Sequence, residues 1–232
     1  MTLRLLVPNL LTAANISLGF LALVAAGHDR GELAVWLVVG AIVLDMLDGR
    51  VARWLGATSA FGQQLDSFSD AVSSGVAPAF LVHRFILSEL GAAGVALSLV
   101  YLLAGVARLT RFNLTADVHT KAQKTLGVPI PVAAGYMLAL VVMRAHLAPW
   151  VAGAVVLSLA ILMVSRLRLP ELRGNDLVGG LMIIGIGTYF ALLLWPSWGT
   201  VALWNGWNVV ILATAALSGR RSRHAATSSP RA

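Results

Sequence analysis

The sequence contains no cysteine and few charged residues, and each shortage excludes a class of protein. Without cysteine there is neither a disulfide framework nor a thiolate metal site. Charged residues make up only 12% of the chain, where a soluble globular domain has about 25%. The hydrophobic residues, 58% of the total, form long continuous blocks such as Ile16–Ala26, Leu33–Leu44 and Met182–Trp195. The sequence therefore predicts an all-α, polytopic membrane protein.

Dividing the hydrophobic blocks at about 20 residues per bilayer crossing predicts a bundle of eight transmembrane helices. The predicted spans are 9–27, 33–55, 63–87, 91–113, 128–145, 147–166, 177–195 and 200–218. Little sequence is left for a soluble domain. The basic tail, residues 219–232, is predicted to be disordered.

The distribution of Lys and Arg predicts the orientation of this bundle. With both termini in the cytoplasm, the cytoplasmic side holds all but three of the 17 basic residues, the exceptions being Arg30, Arg84 and Arg144. Basic loops beside an anionic leaflet also account for the net charge of +7, so no nucleic-acid partner is expected. We expect an integral protein of the cell membrane.

The scarce acidic residues are concentrated in one stretch. Four of the ten acidic residues are Asp45, Asp48, Asp66 and Asp70. On helices each pair lies on one face, together with glycine and other small residues, and the short connection allows the two pairs to face each other. Two carboxylates about 5 Å apart repel by roughly 3 kcal/mol at an effective dielectric constant near 20. Such a cluster needs something that neutralises it.

Three kinds of neutralisation are open from charge and geometry alone. The carboxyl groups could be protonated as a proton relay, or they could pair with Arg50 and Arg53, which leaves two negative charges over. Two divalent cations would cancel all four charges, and this density of oxygen ligands suits Mg²⁺ or Mn²⁺. A two-metal site of this kind serves displacement at phosphorus, and Arg53 on the same face can meet a phosphate.

The spacing of these residues is that of a known signature. The pattern Asp45-x2-Asp48-Gly49-x2-Ala52-Arg53-x8-Gly62-x3-Asp66-x3-Asp70 resembles that of the CDP-alcohol phosphotransferase family. The resemblance implies a membrane enzyme that cleaves a CDP-linked lipid, CDP-diacylglycerol, transfers its phosphatidyl group to an alcohol and releases CMP. It also implies a six-helix core, residues 1–170, so that residues 171–218 would be two additional helices. Members of the family are often dimers, which makes a homodimer an expectation.

The resemblance assigns roles to individual residues. Asp45, Asp48, Asp66 and Asp70 would ligate two divalent metal ions, and Asp70 would also act as general base on the acceptor hydroxyl. An active site of this kind would face the cytoplasm. The residues that would bind the CDP-lipid are Asn9, Thr12, Gly49, Arg53 and Ser59.

Further stretches bear on the acceptor alcohol. Residues 61–80, 107–113, 127–135 and 162–170 resemble the branch of this family that uses L-serine. A zwitterion needs a cation for its carboxylate, and Arg108, Arg111 and Lys124 are the candidates. Glycerol 3-phosphate or an inositol compound would need cations equally, so a sibling enzyme is the close alternative. A cation or proton transporter with an aspartate relay is the alternative of a different class.

Overall fold

The computed structural model describes residues 3–57, 59–115, 126–167 and 176–227, and within them all regular elements are helical. The α-helices are α1 (Leu3–Gly27), α2 (Gly31–Trp54), α3 (Ala60–Asp70), α4 (Ala77–Phe85), α5 (Ala92–Thr115), α6 (Ile130–Val142), α7 (Pro149–Val164), α8 (Asp176–Leu194) and α9 (Trp198–Thr227). Two short 3₁₀ helices, Leu87–Leu90 and Arg144–His146, precede α5 and α7.

Two of these helices, over Leu6–Gly27 and Ala92–Leu114, are long and apolar enough to cross a bilayer. Shorter apolar helices lie at Ile130–Val142, Pro149–Val164 and Gly180–Leu194. Many large hydrophobic side chains are exposed, as at Trp54 (85%) and Leu114 (83%). A helical fold with apolar side chains on its outside is that of a membrane protein, because lipid replaces the missing apolar neighbours.

The chain divides into two compact units, Met1–Leu167 and Arg168–Ala232. In the second unit α8 and α9 pack against each other, and the indole N–H of Trp207 donates to the Leu181 carbonyl at 2.8 Å. The rings of Tyr189 and Trp204 lie 5.0 Å apart. Helix α9 extends to Thr227, and the disorder predicted for the basic tail, residues 219–232, stays a prediction. Residues 219–227 include three Arg and two Ala, which favour helices.

In the first unit α1 packs against both α2 and α3, the two helices that carry the clustered acidic residues. The turn from α2 to α3 begins at Leu55 and Gly56, where the positive φ of Gly56 (+59°) ends α2. Ser59 begins α3 as its N-cap, because its Oγ accepts the backbone N–H of Gly62 at 3.0 Å. The acidic residues therefore lie on two separate helices, α2 and α3, that both pack against α1.

In place of the predicted helix 63–87, the structure has an uninterrupted run of helical residues in which a π-helical segment, Ala71–Val76, joins α3 to α4. Proline at position 78 has no N–H, so the Ser74 carbonyl loses its usual helical donor and instead accepts the buried Tyr101 hydroxyl at 3.0 Å. The Ala77 N–H reaches back five residues to Val72. The π-helical segment begins directly after Asp70, where such segments are often functional.

The chain that enters α6 is bound to the end of α7. The Gly127 N–H donates to the Leu167 carbonyl at 2.9 Å, and Val128 N–H donates to Leu162 at 3.2 Å. Gly127 has φ +71°, and a Cβ there would lie 2.2 Å from the Met163 carbonyl oxygen. Only glycine fits this close backbone approach.

Candidate active site

Three carboxylates from two helices meet in the first unit. Asp45 and Asp48 of α2 and Asp66 of α3 each offer one oxygen atom, and the three atoms lie within 4.8 Å of one another. Asp48 is buried and the other two are half-buried. Negative charge at this density needs neutralisation, either by protonation or by a compensating cation. The three oxygens are hard ligands and fit a divalent cation such as Mg²⁺ or Mn²⁺.

Asp70 lies one helical turn beyond Asp66 and is the most buried of the four predicted ligands except Asp48, with 9% of its surface exposed. It is close enough to Asp45 for their side chains to interact directly. Its Oδ1 atom has no hydrogen-bond partner among the described residues. Asp70 is thus beside the three-carboxylate cluster but outside it, with one oxygen free to meet a further group.

Helix α1 supports the carboxylates from the other side. The Thr12 hydroxyl lies 2.8 Å from Asp48 Oδ2 and 3.0 Å from the Pro8 carbonyl, and it is buried. The Asn15 amide donates to Asp45 Oδ1 at 3.5 Å. A ligand that is held by a second side chain keeps its orientation, which raises its affinity for a metal.

A cavity of about 370 Å³ opens beside the carboxylates. All five residues predicted to bind the CDP-lipid line it, together with Asp48 and Asp66. The lining residues are Pro8, Asn9, Thr12, Asp48, Gly49, Ala52, Arg53, Ala57, Ser59, Ala60, Gly62, Gln63 and Asp66. The cavity therefore has carboxylates at its wall and polar groups of α1 and α3 around it, an arrangement suited to a nucleotide with bound cations.

Arg53 and Gly49 are adjacent in this cavity. The Arg53 guanidinium interacts electrostatically with Asp48 and Asp66. Its Nη1 atom lies 3.4 Å from the position that a Cβ on Gly49 would take. The resemblance assigns both Gly49 and Arg53 to the CDP-lipid, and in the structure the space that a side chain at Gly49 would fill is next to the Arg53 side chain. The small residue also allows this cation to lie close to the carboxylates.

The two basic residues predicted for the acceptor on α5 have different surroundings. Arg108 is buried, with 7% exposed, and is attracted electrostatically by Asp70, and its Nε has no hydrogen-bond partner among the described residues. Arg111 instead donates to four backbone carbonyls, those of Leu126, Met163, Val164 and Ser165, at 3.0–3.3 Å. Lys124 lies outside the described residues.

Arg111 therefore joins the end of α5 to the end of α7 and to the chain before α6. We expect Arg111→Gln to lower the free energy of unfolding by about 2 kcal/mol, because four carbonyls, three of them in part-buried contacts, lose a charged donor. Thermal unfolding in detergent measures this, and Thr110→Ala, at the exposed neighbouring position, is the control. A raised KM for the acceptor with unchanged stability would contradict this positioning role.

Sequence reasoning missed the part of the site that α1 contributes beyond Thr12. Asn15 follows Thr12 by three residues, so it lies on the same helical face, and it is fully buried beside Asp45. An amide inside a hydrophobic block was the available signal. Gln63 also lines the cavity, but the sequence contains no signal for it, because it lies between the positions of the signature.

The site combines clustered carboxylates, an arginine and a cavity large enough for a nucleotide, all carried on the helices of a membrane protein. This combination is typical of membrane enzymes that act on phosphate esters with divalent metals. The pattern of the CDP-alcohol phosphatidyltransferase family matches residues 5–165. The chain belongs to this family. The four aspartates and the cavity all lie within the matched residues.

Individual relatives support the same assignment. The CDP-diacylglycerol–serine O-phosphatidyltransferase of Helicobacter pylori strain J99 is 36% identical over 175 residues, which covers 72% of this chain and 73% of the relative. The enzyme of the same name from Bacillus subtilis strain 168 is 32% identical over 167 residues, 72% of this chain and 91% of the relative. The archaetidylserine synthase of Methanothermobacter thermautotrophicus is 30% identical over 169 residues, 72% and 70%.

Proposed function

We propose that the protein is a phosphatidylserine synthase, which transfers the phosphatidyl group of CDP-diacylglycerol to the hydroxyl of L-serine and releases CMP. The observation that carries the proposal is the three-carboxylate cluster at the wall of the cavity, with Asp70 beside it. The names of the relatives support serine as acceptor. An archaetidylserine synthase among them keeps the lipid part of the substrate open between diacyl and ether forms.

The cavity is the proposed seat of the CDP part of the substrate. Arg53 would meet a phosphate of the pyrophosphate, and Gly49 leaves the backbone open beside it. Asn9 and Ser59 also line the cavity and lie beside Gly62, since the Cβ position on Gly62 is 3.4 Å from Asn9 Oδ1 and 3.2 Å from Ser59 Oγ. Thr12 would act at the inner end, where it holds Asp48.

Asp45, Asp48, Asp66 and Asp70 are the proposed ligands of two divalent ions, Mg²⁺ or Mn²⁺. When bound, such ions neutralise the pyrophosphate and stabilise the leaving CMP. The chain's own contribution is to hold the ligands on α2 and α3 at fixed spacing, with Thr12 and Asn15 orienting two of them. A helical scaffold suits this purpose because its side chains are held rigidly.

The proposed reaction is an in-line displacement at phosphorus. Asp70 takes the proton of the serine hydroxyl, whose oxygen forms a bond to the phosphorus of the phosphatidyl group. The bond between this phosphorus and the bridging oxygen of the pyrophosphate breaks, and CMP leaves with the electron pair. Arg108 would bind the serine carboxylate, and its electrostatic attraction to Asp70 supports this role. Lys124 is a further candidate for the acceptor.

The remaining proposals concern the setting of the reaction. The hydrophobic blocks support eight membrane spans, and the distribution of Lys and Arg supports both termini in the cytoplasm of a cell membrane. In this topology the four aspartates would lie near the cytoplasmic ends of their helices. There the site takes serine from the cytoplasm and CDP-diacylglycerol from the bilayer. We also propose a catalytic core of residues 1–170, two additional helices over 171–218 and a homodimer.

The first experiment is CMP release by the purified protein with CDP-diacylglycerol and Mg²⁺ or Mn²⁺. L-serine, glycerol 3-phosphate, inositol phosphate and no acceptor are compared side by side. We expect release with L-serine alone, because the buried Arg108 and Asp70 can receive a zwitterion together. Release with another alcohol alone would make the protein a sibling enzyme with the same aspartate mechanism. No release with any acceptor, from folded and metal-loaded protein, would favour the transporter alternative.

A further inference from the structure

Four polar side chains in the first unit are at least nine-tenths buried and each has an atom without a hydrogen-bond partner among the described residues. The atoms are Asn15 Oδ1, Asp70 Oδ1, Ser74 Oγ and Arg108 Nε. Each such atom costs free energy, and folded proteins retain only a few. A group of them in one region indicates polar atoms that a bound molecule would satisfy.

Contacts along α1 place Asn15 opposite Asp70. The Ser69 hydroxyl donates to the Thr12 carbonyl at 3.3 Å, and Gly19 lies so close to Ser73 that an added Cβ would be 3.0 Å from its Cα. Asn15 lies between Thr12 and Gly19 on the same face of α1. It therefore faces the stretch of chain from Ser69 to Ser73, which contains Asp70. Its amide also contacts Asp45, the neighbour of Asp70.

Contacts along α5 place Arg108 on the other side of Asp70. The Asn113 amide donates to Ser67 Oγ at 2.9 Å, and Tyr101 donates to the Ser74 carbonyl at 3.0 Å. These two contacts show that α5 runs antiparallel to the chain from Ser67 to Ser74. Arg108 lies between Tyr101 and Asn113 in sequence, which places it at the level of Asp70. The electrostatic attraction between Arg108 and Asp70 agrees with this register. Asp70 thus has Asn15 on its α1 side and Arg108 on its α5 side.

The unpartnered atoms are complementary to an amino alcohol that carries a carboxylate. Arg108 offers an N–H to an anion, whereas Asn15 Oδ1 and Asp70 Oδ1 offer acceptors to an ammonium group and a hydroxyl. Ser74 Oγ can serve either. A phosphate or polyol acceptor has no ammonium group for the Asn15 oxygen. A negatively charged oxygen next to that amide oxygen would be repelled.

We propose that Asn15 recognises the ammonium group of the acceptor and is a specificity-determining residue for an amino alcohol. This inference rests on the proposed function, because it concerns the acceptor of the same reaction. Asn15 is the α1 half of the acceptor subsite and Arg108 the α5 half, with the reacting hydroxyl at Asp70 between them. Discrimination against acceptors that lack an ammonium group follows from the buried amide oxygen that they would leave unpaired.

The test compares L-serine with two analogues that each lack one charged group. Ethanolamine keeps the ammonium group and lacks the carboxylate, whereas 3-hydroxypropanoate keeps the carboxylate and lacks the ammonium group. We expect Asn15→Leu to lower kcat/KM for L-serine and ethanolamine about 10- to 100-fold more than for 3-hydroxypropanoate, mostly through KM. A loss common to all three acceptors measures the effect of Asn15 on Asp45. Where an analogue is not transferred, its inhibition constant against L-serine reports the same binding.

Arg108→Met should give the opposite selectivity, with losses for L-serine and 3-hydroxypropanoate but not for ethanolamine. Asn15→Ala repeats the test with a smaller side chain in case the leucine variant does not fold. Ser17→Ala, at an exposed position of the same helix, is the control, and the KM for CDP-diacylglycerol reports an intact nucleotide site.

An equal loss for all three acceptors would overturn the inference, since Asn15 would then act only through Asp45. Failure of the proposed function has a different outcome. In that case the wild-type protein releases no CMP with L-serine or ethanolamine at any concentration, so the question of which residue recognises the ammonium group does not arise.

Discussion

Replacing Asp70 by asparagine is expected to lower CMP release with L-serine by about 10²- to 10⁴-fold, the usual effect of losing a general base. Asparagine has the same shape but takes up no proton from the serine hydroxyl. Asp70 is the aspartate whose buried oxygen lacks a partner, and it lies outside the three-carboxylate cluster. CDP-diacylglycerol binding should therefore remain measurable, because Asp48 and Asp66 still line the cavity proposed for the nucleotide and Asp45 remains beside them.

Single-turnover CMP release and equilibrium binding of CDP-diacylglycerol separate the two effects. Asp29→Asn is a matched control, since it makes the same chemical change at an exposed residue that is paired with Arg84. Turnover at the wild-type rate in the Asp70 variant would remove this residue from the mechanism. Loss of lipid binding together with turnover would mean that Asp70 acts chiefly as a metal ligand.

The acidic cluster was predictable because it depends on local periodicity. Positions three and four apart on a helix share a face, so the spacing within 45–53 and 62–70 is enough to place each pair. The meeting of Asp45, Asp48 and Asp66 then needs only that the two helices lie side by side. The structure brings these three together, and it places Asp70 next to Asp45. Which of the four binds metal and which takes the proton stays a prediction.

The surroundings of the basic residues were not predictable, because they depend on distant parts of the chain. Arg108 and Arg111 are three residues apart, carry the same charge and both lie near the C-terminal end of α5. Arg108 is buried near Asp70, while Arg111 meets carbonyls more than 50 residues away at the end of α7. Nothing in the stretch 107–113 distinguishes a site residue from a structural one.

The π-helical segment was missed for a similar reason. Pro78 was a visible signal that one helical carbonyl would lose its donor. The consequence depends on Tyr101, which supplies a hydroxyl from α5 to the Ser74 carbonyl and so stabilises the wider turn. The position of the segment directly after Asp70 affects the acceptor subsite, because Ser73 and Ser74 are turned into the buried interior.

Asp48→Asn should have an effect at least as large as Asp70→Asn, a loss of CMP release of at least about 10³-fold. Asp48 is the buried member of the three-carboxylate cluster and also lines the cavity, so one substitution removes a proposed metal ligand beside the proposed nucleotide site. An amide nitrogen in place of the carboxylate oxygen repels a divalent cation, which then no longer neutralises the pyrophosphate. The measurement is CMP release over a Mn²⁺ titration, together with Mn²⁺ binding followed by electron paramagnetic resonance.

Thr12→Val is the graded companion to this substitution. Valine has the shape of threonine but cannot donate to Asp48 Oδ2, so the ligand stays while its orientation is lost. We expect the Mn²⁺ concentration needed for half-maximal release to rise about 10- to 100-fold, with near-normal release at saturating metal, because contacts behind a ligand usually contribute that much to metal affinity. Asp48→Asn should not be rescued by added metal. Full rescue of Asp48→Asn by added metal would contradict the role of Asp48 as a ligand. Excess metal compensates for a misoriented ligand but not for a missing one.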